Sequence, residues 1–133
     1  MRIRPSPTAP FPALLLEPNS GNAVRLARGL EAAGFQIRVE DSAHAALQAQ
    51  RQSFFFALIV VADLTDENCL AALDKLRRQA PRSWMIVAAE DCGADTCDLI
   101  RRHGGDVCVA LPISLEDLVN RLDALQSRSR PSF

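Results

Sequence analysis

The stretch FFFALIVVADL, residues 54–64, is the most apolar run in the chain, and it ends in a carboxylate. The run is continuous rather than alternating, so it reads as a strand over 54–62 covered on both faces, as in a parallel sheet. Such a strand needs helices above and below it, and parallel neighbours need long crossover connections. The flanking segments supply both.

Upstream, ALLLE (13–17) is a second continuous apolar run. In SGNAVRLARGLEAAGF, Ala23, Leu26, Ala27 and Leu30 fall at helical spacing, with Gly34 placed to end the helix. FQIRVE (35–40) alternates apolar and polar residues and reads as a strand nearer an edge. Ser42 can cap AHAALQAQRQ (43–52), whose Ala43, Ala46 and Leu47 share a face. Downstream, ENCLAALDKLRRQA (67–80) carries Leu70, Leu73 and Leu76 in register and stops before Pro81. SWMIVAAE (83–90) is a fourth strand, ADTCDLIRRHGG a short helix with a glycine terminator, and DVCVAL (106–111) a fifth strand. SLEDLVNRLDALQ (114–126) closes the series, with Ser114 as N-cap, Asp117 three residues on, and a stripe of Leu118, Val119, Leu122 and Leu125. The fold class is therefore α/β: a five-stranded parallel sheet of order 2-1-3-4-5, helices on both faces, a flavodoxin-like doubly wound (βα)5. Residues 1–11 read as a flexible proline-rich tail, 12–127 as the domain, and 128–133 as a C-terminal tail or linker.

Composition narrows function. The 133 residues are 48% hydrophobic, enough for one domain, and the net charge of −1 leaves no footprint for nucleic acid or an anionic membrane. Apolar runs fall short of the ~20 residues that span a bilayer, and the N-terminus lacks the apolar core and cleavage site of a signal peptide. These features place the chain in the cytoplasm, where four scattered cysteines are expected as reduced thiols rather than a disulfide framework. Of 15 basic residues, all but Lys75 are Arg.

In folds of this class ligands sit beyond the carboxyl ends of the strands. Glu17–Pro18, Ala62–Asp63, Ala88–Ala89–Glu90 and Leu111–Pro112 are delivered there. The chain resembles the receiver domain of two-component response regulators, a CheY-like fold, across about residues 12–127. LLLEPN is similar to that family's first strand, which commonly reads L-L-V-E-D-N, and LARGLEAAGFQIRVEDSAHAAL to its segment from first helix to second. GGDVCVALPISLEDLVNRLDAL is the most specific match, since the family closes with G-A-D-D-Y-L-x-K-P-F-S-L-E-E-L.

The resemblance implies a phosphorylation site: an acceptor aspartate, two first-strand acids holding Mg²⁺ with it, a lysine after strand 5 and a hydroxyl after strand 4. Phosphoryl transfer relies on such positioning and charge stabilisation. Laid on this chain, the acid pair falls on Glu17 and Pro18, the acceptor on Ala62, the hydroxyl on Ala88 and the lysine on Leu111, with Pro112 retained. No Ser or Thr lies between Trp84 and Asp95, and the one lysine, Lys75, falls mid-helix after strand 3. The loop LTDENCL lacks the family's proline and glycine, so helix 3 is expected to start early, capped by Thr65 or Asp66.

Other constellations are weaker. Glu17, Asp63, Asp66, Glu90 and Asp91 form an acidic rim at which a divalent cation is one reading and a solvated mouth the plainer one. Cys92, Cys97, His103 and Cys108 lack zinc-site spacing; Cys108 reads as core packing, Cys92 as an exposed thiol open to oxidation, and His44 as solvated. No catalytic residue, metal or cofactor is assigned. The expected partner surface is the face of helix 4, strand 5 and helix 5, bearing Arg101, Arg102, Asp106, Glu116, Asp117, Arg121 and Asp123, with a homodimer as one use of it. The sequence thus points to a pseudo-receiver, a non-enzymatic and phosphorylation-independent protein–protein interaction module of bacterial signal transduction. Two alternatives stand beside it: an atypical receiver accepting phosphate on Asp63, and a small-ligand sensor using the strand-end cleft.

Overall fold

The structure, a computed structural model, describes residues 11–126. Residues 1–10 of the first expected tail and all of the second lie outside them, while Phe11, read as tail, accepts the Gln36 amide at 3.0 Å. The chain alternates β1 (Pro12–Leu16), α1 (Ser20–Ala32), β2 (Gln36–Glu40), α2 (Ala43–Gln52), β3 (Ala57–Val61), α3 (Glu67–Gln79), β4 (Trp84–Ala89), α4 (Ala94–Arg102), β5 (Val107–Ala110) and α5 (Leu115–Gln126). All pairings are parallel, and the order is β2-β1-β3-β4-β5, as the sequence predicts.

Strand alternation splits the core into two layers. Ala13, Leu15, Ala57, Ile59, Ile86 and Ala88 face α1 and α5, meeting Leu26, Leu30, Leu118 and Leu122. Leu14, Leu58, Val60, Met85 and Val87 face the opposite way, onto Ala46 and Ala49 of α2, Leu73 and Leu76 of α3 and Ile100 of α4. β2 takes the edge, where Val39 is exposed and Arg38 pairs with Glu40 at 2.8 Å.

The opening strand is shorter than its apolar run. Pairing of β3 with β1 starts at Ala13–Ala57 and with β4 at Ala57–Trp84. Phe56 closes the ladder, its amide donating to the Pro12 carbonyl (2.8 Å) and its carbonyl accepting the Trp84 amide (3.0 Å). The aromatics of the run cover the amino end of the sheet: Phe55 is buried among the α2 and α3 side chains, Phe56 stacks at 5.0 Å on Phe11, and Phe54 remains 63% exposed.

Four reduced thiols were expected, and this is corrected. Cys92 and Cys108 form a disulfide, leaving Cys69 and Cys97 as thiols. The loop after β4 folds back over β5 and brings the two Cα atoms to 6.2 Å, within disulfide range, a proximity invisible in a separation of 16 residues. Cys108 therefore serves as a crosslink at the margin of the core, and the zinc reading falls with it.

One side chain ties two connections together, those from α3 to β4 and from α4 to β5. Arg77, on α3, donates from Nε to the Gly104 carbonyl (2.9 Å) and from Nη1 to those of Ala80 (3.1 Å) and Ser83 (2.8 Å). Its Nη2 meets Asp106 Oδ2 at 2.8 Å, and that same oxygen accepts the Met85 amide at 2.9 Å. Gly104 adopts φ +96°, and a Cβ there would strike the Arg77 stem. Gly34, the expected terminator of α1, also has positive φ, 102°. Arg77→Ala strands a mostly buried carboxylate and several carbonyls, so unfolding free energy should fall by about 2–4 kcal/mol. Arg77→Lys should recover only part of this, because an ammonium cannot span the same acceptors. Urea midpoints of the three proteins check both.

Candidate functional site

β1, β3, β4 and β5 each hand their next residues to the carboxyl edge of the sheet. After β1 comes Glu17, whose amide still bonds the Glu40 carbonyl at 3.1 Å, then Pro18 and Asn19. Asn19 caps α1, its Oδ1 accepting the Asn22 amide at 3.0 Å. After β3, the Ala62 amide continues the ladder to the Ala88 carbonyl at 2.9 Å, and the chain then turns away through Asp63, Leu64 and Thr65. Asp66 is the N-cap of α3, accepting the Asn68 amide at 2.9 Å, so the early helix start is as read from the loop. After β5, Leu111 joins Pro112 through a cis peptide, and Ser114 Oγ accepts the Asp117 amide at 3.2 Å where α5 begins.

Glu17, Pro18, Ala62, Asp63 and Leu111 line one cavity of about 690 Å³, along with Glu90, Asp91 and Thr96. Ala88 does not line it. Its register opposite Val61 turns its side chain into the α1/α5 layer, where it is fully buried, and Ala89 lines the wall instead. Pro112 lies exposed just outside. Asp66 is spent on its helix and leaves the acidic rim to the other four acids.

The electrostatics of the cavity are one-sided. No Arg or Lys is among the lining residues, and Lys75 is exposed on α3. Glu17 is only 5% exposed, and among the described residues no hydrogen bond reaches its carboxylate. Asp63 lies at the rim with Oδ1 accepting the Thr65 hydroxyl at 2.6 Å and the Thr65 amide at 3.0 Å. These bonds, the hydroxyl's first, hold its carboxyl below the usual aspartate range. Asp91 accepts the Gly93 amide (2.9 Å) and the Thr96 hydroxyl (3.2 Å). Among the described residues no three His, Cys, Asp or Glu side chains are grouped to hold a metal ion.

Thr65 was read only as a possible helix cap and Thr96 not at all, because the sequence reading sought a hydroxyl at the end of strand 4. The signal was local: in Asp63–Leu64–Thr65, a short carboxylate sits two residues before an amide and a hydroxyl that it can accept from. On the expected partner face, Arg102 and Glu116 are exposed, Arg101 pairs with Asp98 at 3.0 Å, and Arg121 with Asp117 at 3.0 Å. Asp123 lies on α5 beside them, half-buried. Asp106 turns inward to Arg77 instead.

By sequence the chain matches no family profile and no curated protein. By structure it is similar to a CheY-like response regulator receiver domain protein of Methanospirillum hungatei, at TM-score 0.80 and 16% identity over 90% of this chain and 95% of that one. The fold is that of receiver domains. Other structural neighbours are an orphan response regulator of H. pylori (TM-score 0.76, 22% identity, 89% and 98% covered) and a putative pilus assembly-related protein of Burkholderia pseudomallei (TM-score 0.78, 20% identity, 91% and 92% covered). Among the described residues, no helix of this receiver fold is long and apolar enough to cross a membrane.

The Thr65 contacts have a titration consequence. Asp63 has a folded-state pKa below its unfolded one, so its hydrogen bonds favour the fold at neutral pH, and that contribution is lost as pH falls through the folded value. Thr65→Val removes the stronger donor. The Asp63 carboxyl midpoint, followed by carboxyl-carbon NMR, should then move up toward the ordinary aspartate value; an unmoved midpoint would assign the depression to another cause.

Proposed function

We propose that this domain is a phosphorylation-independent pseudo-receiver, a cytoplasmic, non-enzymatic module of bacterial signal transduction that works by binding other proteins. The observation that carries this reading is the strand-end cavity: it gathers Glu17, Asp63, Glu90 and Asp91 around Ala62 and Leu111, with no cationic side chain on its wall. A phosphoryl group brings about two negative charges, and its transfer depends on donors and cations already aimed at it. Where a receiver would place its lysine this chain has Leu111, and where it would place its acceptor it has Ala62. Both residues closing β4 are alanines, so the missing hydroxyl does not depend on which of Ala88 and Ala89 is matched. The retained features are architectural: the sheet, the proline after β5 and the capped α5. A domain that keeps the scaffold and loses the chemistry is best read through its surfaces, and the face of α4, β5 and α5 is the one assigned to partners, a second copy of the chain among them. Its paired, mixed charges suit protein rather than nucleic acid or membrane.

A second reading has its own observation. Asp63 is exposed at the rim directly after Ala62, and its bonds from Thr65 favour the carboxylate form that an attack on a phosphoryl donor requires. The cavity volume also falls within the usual range for small-ligand pockets, which keeps the sensor reading testable by thermal shift. The deciding experiment exposes the chain to acetyl phosphate and Mg²⁺ and weighs the intact protein. No phosphoryl adduct is expected; an adduct that forms on the wild type and disappears in Asp63→Ala would replace this reading with the atypical receiver.

A further inference from the structure

We propose that Cys92 and Cys108 are a reversible redox site, whose oxidised state clamps the start of α4 to β5 and thereby sets the conformation of the α4–β5–α5 face. The use of that face for docking rests on the function proposed above; the redox site itself does not.

The bond joins a loop to the last strand of the sheet. Cys92 directly follows Glu90 and Asp91, which line the strand-end cavity, and Cys108 lies two residues before Ala110 at the end of β5. Both cysteines are partly exposed, so a small reagent has access to them. The fold does not need the bond as a staple, because both core layers are filled by strand and helix side chains from every element. Solvent access of this kind favours the labile, regulatory class of disulfide over the structural one.

What the bond controls is a lightly anchored helix. Only Ile100 of α4 is fully buried. Its N-cap is Gly93, which offers no side-chain bond, so its start is fixed by Asp91, through Gly93 and Thr96, and by the disulfide. The Cys97 thiol donates to the Cys92 carbonyl at 3.3 Å and packs the first turn onto the same loop. Opening the disulfide leaves these polar contacts alone to hold the turn, and segments with little buried apolar area open first. The two remaining thiols are outside the bond: Cys97 lies within α4, and burial raises the Cys69 thiol pKa on α3.

The co-reactant is a low-molecular-weight thiol–disulfide couple. On oxidation one cysteine thiolate attacks a sulfur of RSSR, the S–S bond breaks and RSH leaves after protonation. The second thiolate then attacks the mixed disulfide, closing Cys92–Cys108 and expelling the second RSH. Two electrons and two protons pass from the protein to the couple, and reduction reverses each step.

The test equilibrates the full chain in glutathione buffers of graded ratio, quenches with N-ethylmaleimide and counts adducts by intact mass. Two adducts, on Cys69 and Cys97, are expected at the oxidising end and four at the reducing end, with peptide mapping placing the new pair on Cys92 and Cys108. Amide exchange across 94–102 should quicken on reduction by about tenfold or more. A Cys92→Ser/Cys108→Ser protein should show the fast rate in both buffers while β1 and β3 stay protected, which separates loosening of α4 from unfolding. An adduct count that does not change with the ratio, or α4 exchange indifferent to reduction, overturns the proposal. A phosphoryl adduct on Asp63 would remove the phosphorylation-independent reading and leave the thiol count untouched.

Discussion

Burial of the sheet on both faces is the constraint from which the other features follow. β3 can be central only because Ala57 and Ile59 point to one helix layer while Leu58 and Val60 point to the other. A strand that is apolar throughout leaves no place for polar groups along its length, so every polar residue of consequence is pushed to the strand ends or beyond. Glu17, Asp63, Glu90 and Asp91 collect at one edge for that reason. At the opposite edge the aromatic residues Phe55 and Phe56 act as a plug. The architecture thus makes a polar mouth at the carboxyl edge whatever chemistry is placed in it.

How much of this could be read beforehand depended on the range of the interaction. The helices were legible because their signals are local: Leu26 and Leu30, or Leu118, Leu122 and Leu125, recur at helical spacing, and Ser42 and Ser114 sit where caps belong. The sheet order followed from apolar runs separated by helices. The amino end of β3 was misplaced because FFF has strong strand propensity, and only the partner strands decide where pairing stops. The disulfide was missed for the same reason, since Cys92 and Cys108 meet through the return of a loop rather than through a spacing. In the site, identities were legible and orientations were not. Ala88 belongs to the β4 end, yet its side chain faces the α1/α5 layer, and Asp106, counted as surface, is drawn inward by Arg77.

The cavity is informative for what its charges do to one another. Asp63 and Asp91 find donors within their own loops, so each is satisfied without reaching across the mouth. Glu17, by contrast, is buried beside Pro18, a residue with no side-chain donor. The mouth is thus lined by acids, and among the described residues no three His, Cys, Asp or Glu side chains are grouped to hold a metal ion.

The edge formed by β2 bears on how this molecule meets others. Among the described residues no strand pairs its outer side, a standing invitation for another chain to extend the sheet. The strand is five residues long, however, and carries the Arg38–Glu40 ion pair along that margin, which disfavours a flat intermolecular ladder. Main-chain addition at that margin is thereby discouraged, which lowers the tendency of the edge to seed a fibrillar ladder.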